Sequence, residues 1–192
     1  MKHKSPDLST SGPQTASSPP IFPCQIPELN LSCYGCCGND FTNKIQAQKD
    51  IIQNTIELEE SLSYKESNSQ EDQDKALVEF RDRYAGTTLG PSGVCLNLVQ
   101  FNNGCLACPL HKSINALVPE SEVKASSEDL RQEPCDVNYE CITFKKYAKL
   151  SESQKKEYIK FLEKRVEKEN HFSYSMKNHD GVFIEEFLEK NN

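Results

Sequence analysis

The sequence predicts a mainly α fold with an irregular, loop-rich, metal-stapled region and few or no short strands. Three observations carry this. Apolar residues recur at helical spacing in the stretches 44–62 and 151–170. The segment 85–110 (AGTTLGPSGVCLNLVQFNNGCLACPL) holds four glycines and two prolines, so it is built from turns. Hydrophobic residues make up only 36% of the chain, while nine of its 192 residues are cysteine. A core that thin gains from a metal, because metal binding can supply folding free energy directly.

The elements follow in order. Residues 1–22 are rich in Ser, Thr and Pro and read as a disordered leader. Residues 23–192 read as a single cysteine-cluster domain with C-terminal helices. Asn43 or Asp40 caps a helix over 44–62, with Ile45, Ile52, Ile56 and Glu59 along one face and Ile51, Leu58 and Leu62 beside it. The polar stretch 63–73 reads as a loop. A helix over 74–84 presents Leu77, Val78, Phe80, Arg81 and Tyr84. CLNLVQF, ahead of Asn102-Asn103-Gly104, reads as a short strand closed by an Asn-Gly turn. One or two helical turns fit 111–118, and a capped helix fits 126–132. Another helix starts between Cys135 and Cys141 and continues to about Lys149. Ser151 opens a long helix to about Asn170 with Tyr158, Ile159, Leu162 and Val166 inward. A short amphipathic helix over 182–188 follows the Asp180-Gly181 turn.

The charge balance is −7. A general nucleic-acid binder needs a basic face, so no nucleic-acid partner is expected. No run approaches the ~18 apolar residues of a membrane span. The first residues lack the apolar stretch of a secretory signal, which points to the cytoplasm. Residues 145–169 carry a net +4 and residues 44–84 a net −4. These read as solvated faces in loose attraction, or as a basic surface for an acidic protein partner.

In a reducing compartment, nine cysteines are metal or redox groups sooner than a disulfide framework. They fall as Cys24, Cys33, Cys36, Cys37; then Cys95, Cys105, Cys108; then Cys135 and Cys141. Cys33-Tyr-Gly-Cys36 and Cys105-Leu-Ala-Cys108 are CxxC pairs, a spacing at which one tight turn aims two thiolates at one metal. Cys36 and Cys37 are adjacent. In an extended segment they point opposite ways and serve two metals or two sides of a cluster; in a tight turn they share one ion. Pro109 after Cys108 is a step found beside iron–sulfur ligands. His111 is a further ligand candidate, with a plain surface role as the alternative; His3, His171 and His179 read as surface histidines. For each cysteine the bland alternative is a small buried hydrophobe. Phosphate-loop, dinucleotide, nucleophile-elbow and zinc-protease motifs are absent from the sequence, so no catalytic residue is assigned and non-enzymatic metal binding is favoured.

SCYGCCGNDF, GPSGVCLNL, GCLACPLH and the late Cys135 and Cys141 resemble the zinc- or iron-chelating cysteine-cluster family of the CxxCxxCC type. The resemblance covers roughly residues 24–145 and implies a small bacterial cytosolic metal-binding domain. The full motif needs a cysteine where Asn30 stands; Cys24 either replaces it from a longer loop or takes no part. The remaining eight, Cys33, Cys36, Cys37, Cys95, Cys105, Cys108, Cys135 and Cys141, are the expected metal ligands. They suit two four-sulfur sites, or one cluster and one mononuclear site. The expected function is chelation of zinc or iron, or of an iron–sulfur cluster. The alternatives are an iron–sulfur redox enzyme or electron carrier, and a zinc-stapled protein-interaction adaptor.

Overall fold

The computed structural model describes residues 24–26, 29–64, 69–84, 86–112, 126, 128–136 and 138–191. The leader and residues 113–118 of the helical turns expected over 111–118 lie outside the described residues, while 111–112 are not helical. The fold is mainly α. Among the described residues there are six helices and two short two-stranded sheets.

A hairpin of β1 (Gln25–Ile26) and β2 (Leu31–Ser32) comes first, with Gln25 opposite Ser32 and Ile26 opposite Leu31. Helix α1 (Lys44–Ser63) is capped by Asn43, whose side chain accepts the Gln46 N–H. Helix α2 (Gln70–Asp82) begins inside the expected loop. Ser69 accepts the Asp72 N–H, and Glu71 and Asp72 sit in the positive first turn, so the polar stretch is a helix start. A second hairpin pairs β3 (Val99–Gln100) with β4 (Leu106–Ala107) through the expected Asn-Gly turn, where Gly104 takes a φ of 81°.

The described part of 126–132 is not helical. Ser126 and Asp129 instead accept the N–H groups two residues on, from Glu128 and Arg131, in local turns. Helix α3 (Ile142–Tyr147) is followed by α4 (Glu152–Arg165), which opens on a Ser151–Gln154 capping box. The long helix expected to 170 stops at Arg165. Asn170 starts a separate helix, α5 (His171–His179), by accepting from Phe172 and Ser173. Helix α6 (Val182–Asn191) completes the chain.

The apolar face expected on α1 is corrected. Ile45, Ile52 and Ile56 are exposed, while Ala47, Asp50, Ile51, Asn54 and Leu58 are buried. The buried stripe contains two polar residues because each is spent on backbone. Asp50 accepts the Ser92 N–H, and Asn54 donates to the carbonyls of Cys95 and Leu98. Helix α1 therefore fixes the loop that carries Cys95.

Three apolar clusters hold the molecule. Tyr158, Ile159, Leu162 and Val166 of the α4 segment pack with Tyr174, Phe183, Phe187 and the first hairpin. Leu58, Leu77 and Phe80 pack with the second hairpin. Tyr34, Ala47, Ile51, Val94 and Leu98 form the third. The charge of 145–169 is answered largely within its own half: Lys146 pairs with Glu185 and Arg165 with Glu186, both on α6. Among the described residues, no helix is long and apolar enough to cross a membrane.

Candidate metal centre

All nine sulfurs are thiols, with no disulfide among them. Cys24 and Cys33 lie nine apart in sequence but face each other, because the first hairpin's ladder runs on past its strands: Cys33 N–H donates to the Cys24 carbonyl at 2.7 Å. Alternation along the strands then separates this pair from its neighbours. Gln25 and Ser32 turn toward β4, where Gln25 donates to the Leu106 carbonyl and Ser32 accepts the Leu106 N–H. Cys33 turns the other way, onto α5. Its thiol donates to the Ser175 carbonyl at 3.7 Å, and the Asn178 side chain donates to its sulfur.

Cys141 arrives beside it through α3. It caps that helix, its sulfur accepting the Phe144 N–H, and two residues on the Thr143 hydroxyl donates to the Asn178 carbonyl. Cys36 follows Gly35, where the backbone presses on the end of α5. A Cβ on Gly35 would stand 2.4 Å from the Cβ of His179. Cys24 is within electrostatic reach of Cys33, Cys36 and Cys141, and Cys33 of Cys36 and Cys141.

The other thiols gather on the far side of Cys37. Cys95 N–H donates to the Cys37 carbonyl at 2.9 Å, and Gly38 bridges to Val94. This closeness requires glycine: Gly93 has a φ of 84°, and a Cβ there would meet the Asn39 carbonyl oxygen at 2.0 Å. Leu130 N–H donates to the Leu110 carbonyl, which lays the 128–136 loop against the segment after Cys108. Cys37 is in electrostatic reach of Cys95 and Cys108, and both of those of Cys135. Cys36 and Cys37 join the two gatherings, their sulfurs 4.0 Å apart.

Burial pushes Cys24 and Cys95 up and Cys33 and Cys108 up to about 12. Burial thus favours the neutral thiol at each of the four. Cys36 is the exception. The hydrogen bond with Cys37 holds it down, with His179 and Arg131 helping, and raises Cys37 in return. Arg131, held by a bidentate pair with Asp129, lowers the pKa of both Cys36 and Cys108 through its charge.

Cys105 is placed differently from its CxxC partner. The two residues between Cys105 and Cys108 are strand β4 rather than a turn, and an odd spacing along a strand sends side chains to opposite faces. Its thiol donates to Gln25 Oε1 at 3.1 Å, on the face of the first hairpin turned away from Cys33. Cys24, left aside by spacing, joins Cys33 instead. The signal for it was β pairing between 25–26 and 31–32, which two-residue strands hardly announce. His171 and His179 are also not plain surface residues. His171 Nδ1 accepts the Ser32 N–H at 3.0 Å, and His179 Nε2 meets the Tyr139 hydroxyl at 2.8 Å. His111 is half-buried in the turn after Cys108.

Among the described residues, no three His, Cys, Asp or Glu side chains stand close enough together to hold a metal ion as placed. What the backbone supplies is convergence of the chain segments; closing to ~2.3 Å Zn–S distances would fall to the cysteine χ1 rotors. Two clefts, one lined by Asn54, Glu57, Arg83 and Leu96 and the other by Tyr34, Ile52 and His171, have no described cysteine in their walls. Compared with known proteins, the chain matches no family model, no curated protein and no solved structure. The likeness to the CxxCxxCC family therefore rests on cysteine spacing alone.

Proposed function

We propose that the protein is a cysteine-rich metal-binding protein that holds zinc or iron through thiolates, without catalysis of its own. One observation supports this reading above the others: backbone hydrogen bonds set Cys33 against Cys24 and Cys95 against Cys37, and the Cys36 and Cys37 sulfurs lie 4.0 Å apart, so cysteines distant in sequence come next to one another. Cysteines serving only as small hydrophobes need not adjoin one another. Here Cys36 and Cys135 are exposed, so apolar burial does not account for them. Arg131 beside the group fits the same chemistry, since thiolate sites carry excess negative charge that a guanidinium offsets.

The test is metal analysis with a visible spectrum on protein purified without oxygen. Stoichiometric zinc without colour, or iron bound by thiolates, supports the proposal. Iron with acid-labile sulfide moves the same thiols to an iron–sulfur cluster. A folded, fully reduced protein with no metal and no affinity for added zinc or iron overturns it.

A further inference from the structure

Two of the nine cysteines are placed for chemistry on each other. The Cys36 and Cys37 sulfurs lie 4.0 Å apart. Other sulfurs are committed elsewhere: Cys33 donates to the Ser175 carbonyl at 3.7 Å, Cys105 donates to Gln25 Oε1 at 3.1 Å, and Cys141 accepts the Phe144 N–H at 3.5 Å. Adjacency alone does not bring two sulfurs together, because neighbouring side chains of an extended segment point to opposite sides. Here a turn does it. The Cys37 N–H donates to the Tyr34 carbonyl at 2.8 Å and folds 34–37 back on itself. That turn is fixed on both sides. Gly35 lies against α5, where a Cβ would stand 2.4 Å from the Cβ of His179, and the Cys37 carbonyl accepts the Cys95 N–H at 2.9 Å.

The two residues differ in access. Cys36 is exposed and Cys37 is half-buried. An oxidant arriving from solvent therefore meets Cys36 first, with Cys37 beside it. An accessible cysteine next to a resolving one is the arrangement of a thiol that is oxidised reversibly, because the second thiol captures the first product before it oxidises further. A bond between neighbours is strained. Adjacent Cα atoms are ~3.8 Å apart, below the ~4.4–6.8 Å usual for a disulfide, and a strained bond is the more easily reduced. Such a bond suits a reversible modification and not a structural staple.

We propose that Cys36 and Cys37 form an oxidant-sensitive dithiol whose reactants are hydroperoxides. The Cys36 sulfur attacks the terminal peroxide oxygen. An S–O bond forms, the O–O bond breaks, and the alcohol leaves with the proton of the Cys36 thiol. The Cys37 sulfur then attacks the Cys36 sulfur. An S–S bond forms, the S–O bond breaks, and hydroxide leaves as water with the proton of the Cys37 thiol. Two thiols lose two electrons in total, and one hydroperoxide is reduced to one alcohol and one water (two waters for hydrogen peroxide). A reducing dithiol opens the bond again. The inference goes beyond metal binding and does not require it; where the same thiols hold a metal, the bond withdraws two of its ligands.

The test treats the full-length reduced protein with hydrogen peroxide, both as purified and after chelation, then alkylates the remaining thiols and maps them by mass spectrometry. The expected product is two hydrogens lighter, with a bond between Cys36 and Cys37 and the other seven of the nine cysteines alkylated. Dithiothreitol should restore both thiols. Cys37→Ser should leave a sulfenic acid on Cys36 that dimedone captures. Cys36→Ser should slow oxidation of Cys37 by about 10-fold, since the half-buried thiol is the less accessible. A bond from Cys36 to any other cysteine, or no bond at Cys36 in either preparation, overturns the proposal. Oxidation of Cys37 at the same rate with and without Cys36 overturns the order of steps. The bond is mapped on the unaltered chain, so it decides even where a variant does not fold. Its readout is also independent of zinc or iron uptake, so failure of the dithiol and failure of metal binding are separate results.

Discussion

Arg83 offers a direct test of how the Cys95 loop is held. Its guanidinium donates to Glu57 at 2.6 Å, to the Phe80 carbonyl at 2.6 Å, to the Leu96 carbonyl at 2.6 Å and to Asn54 Oδ1 at 3.1 Å. It also lies 3.8 Å from the centre of the Phe80 ring. The side chains of Arg83 and Glu57 are each only 14% exposed, so this is no surface pair. Hydrogen bonds to charged groups contribute about 1.5–3 kcal/mol each, but bonds sharing one group do not add. Glu57 keeps Tyr84 and Gln53 as donors, so it is not stranded by the substitution. Asn54 Oδ1 and the Leu96 carbonyl lose this donor. Arg83→Ala should therefore cost about 3 kcal/mol. With an urea slope of about 2 kcal/mol/M, that is a midpoint drop of about 1.5 M. The assay is urea unfolding of reduced protein in chelator, which isolates the fold from metal. Arg83→Lys should recover less than half, because an ammonium cannot serve these divergent acceptors at once. A midpoint drop under about 0.5 M would put the arginine in the class of exposed ion pairs and refute the reasoning.

Gly93→Ala forces a left-handed residue to carry a Cβ 2.0 Å from a carbonyl oxygen. It should cost at least about 2 kcal/mol and reduce cation binding by the thiols around Cys95, read by thermal unfolding and metal titration. His171 accepts the Ser32 N–H through Nδ1, and burial holds its pKa below the ordinary 6.5. Protonation then favours the unfolded chain: its contribution is intact above about pH 6.5 and is lost as pH falls below that, by at most about 1.4 kcal/mol per pH unit. The stability difference between the unaltered chain and His171→Gln, measured from pH 7.5 to 5, should shrink toward acid; a flat difference refutes the assignment. Leu162→Ala, in the fully buried α4 stripe, should cost about 2–5 kcal/mol in the same unfolding assay.

The legible parts of this sequence were those written locally. The caps Asn43 and Ser151 sit beside the helices they start, and the α4 stripe of Tyr158, Ile159, Leu162 and Val166 is aromatic or aliphatic throughout and buried. Helix α5 was missed for a local reason as well. Neither glycine nor proline marks the break after Arg165, so only the Asn170 cap separates two helices of similar composition. The α1 face misled for a non-local reason. Apolarity selected Ile45, Ile52 and Ile56, yet Asp50 and Asn54 are buried in their place. Their partners, at Ser92, Cys95 and Leu98, lie some forty residues away.

The cysteines show the same division more sharply. A CxxC spacing implies a chelating turn only if the backbone between the two cysteines turns. Between Cys33 and Cys36 it does, with Gly35 lying against α5 where a side chain would collide with His179. Between Cys105 and Cys108 the intervening Leu106 and Ala107 pair with Gln100 and Val99, and the extended backbone sends Cys105 to Gln25 instead. Nothing in the four residues CLAC distinguishes the two outcomes. The difference lies in Phe101–Gly104, which close the hairpin, and in Gln25 and Ser32, which bind its outer edge. The hairpin that turns Cys105 away is held against the hairpin that brings Cys24 to Cys33. The different settings of Cys24 and Cys105 thus follow together from how the two hairpins dock. Disrupting that contact with Gln25→Ala should loosen Cys24 and Cys105 together while leaving Cys37 and Cys95 in place. Thiol-alkylation rates at the four positions measure this, and unchanged rates at Cys24 would refute the link.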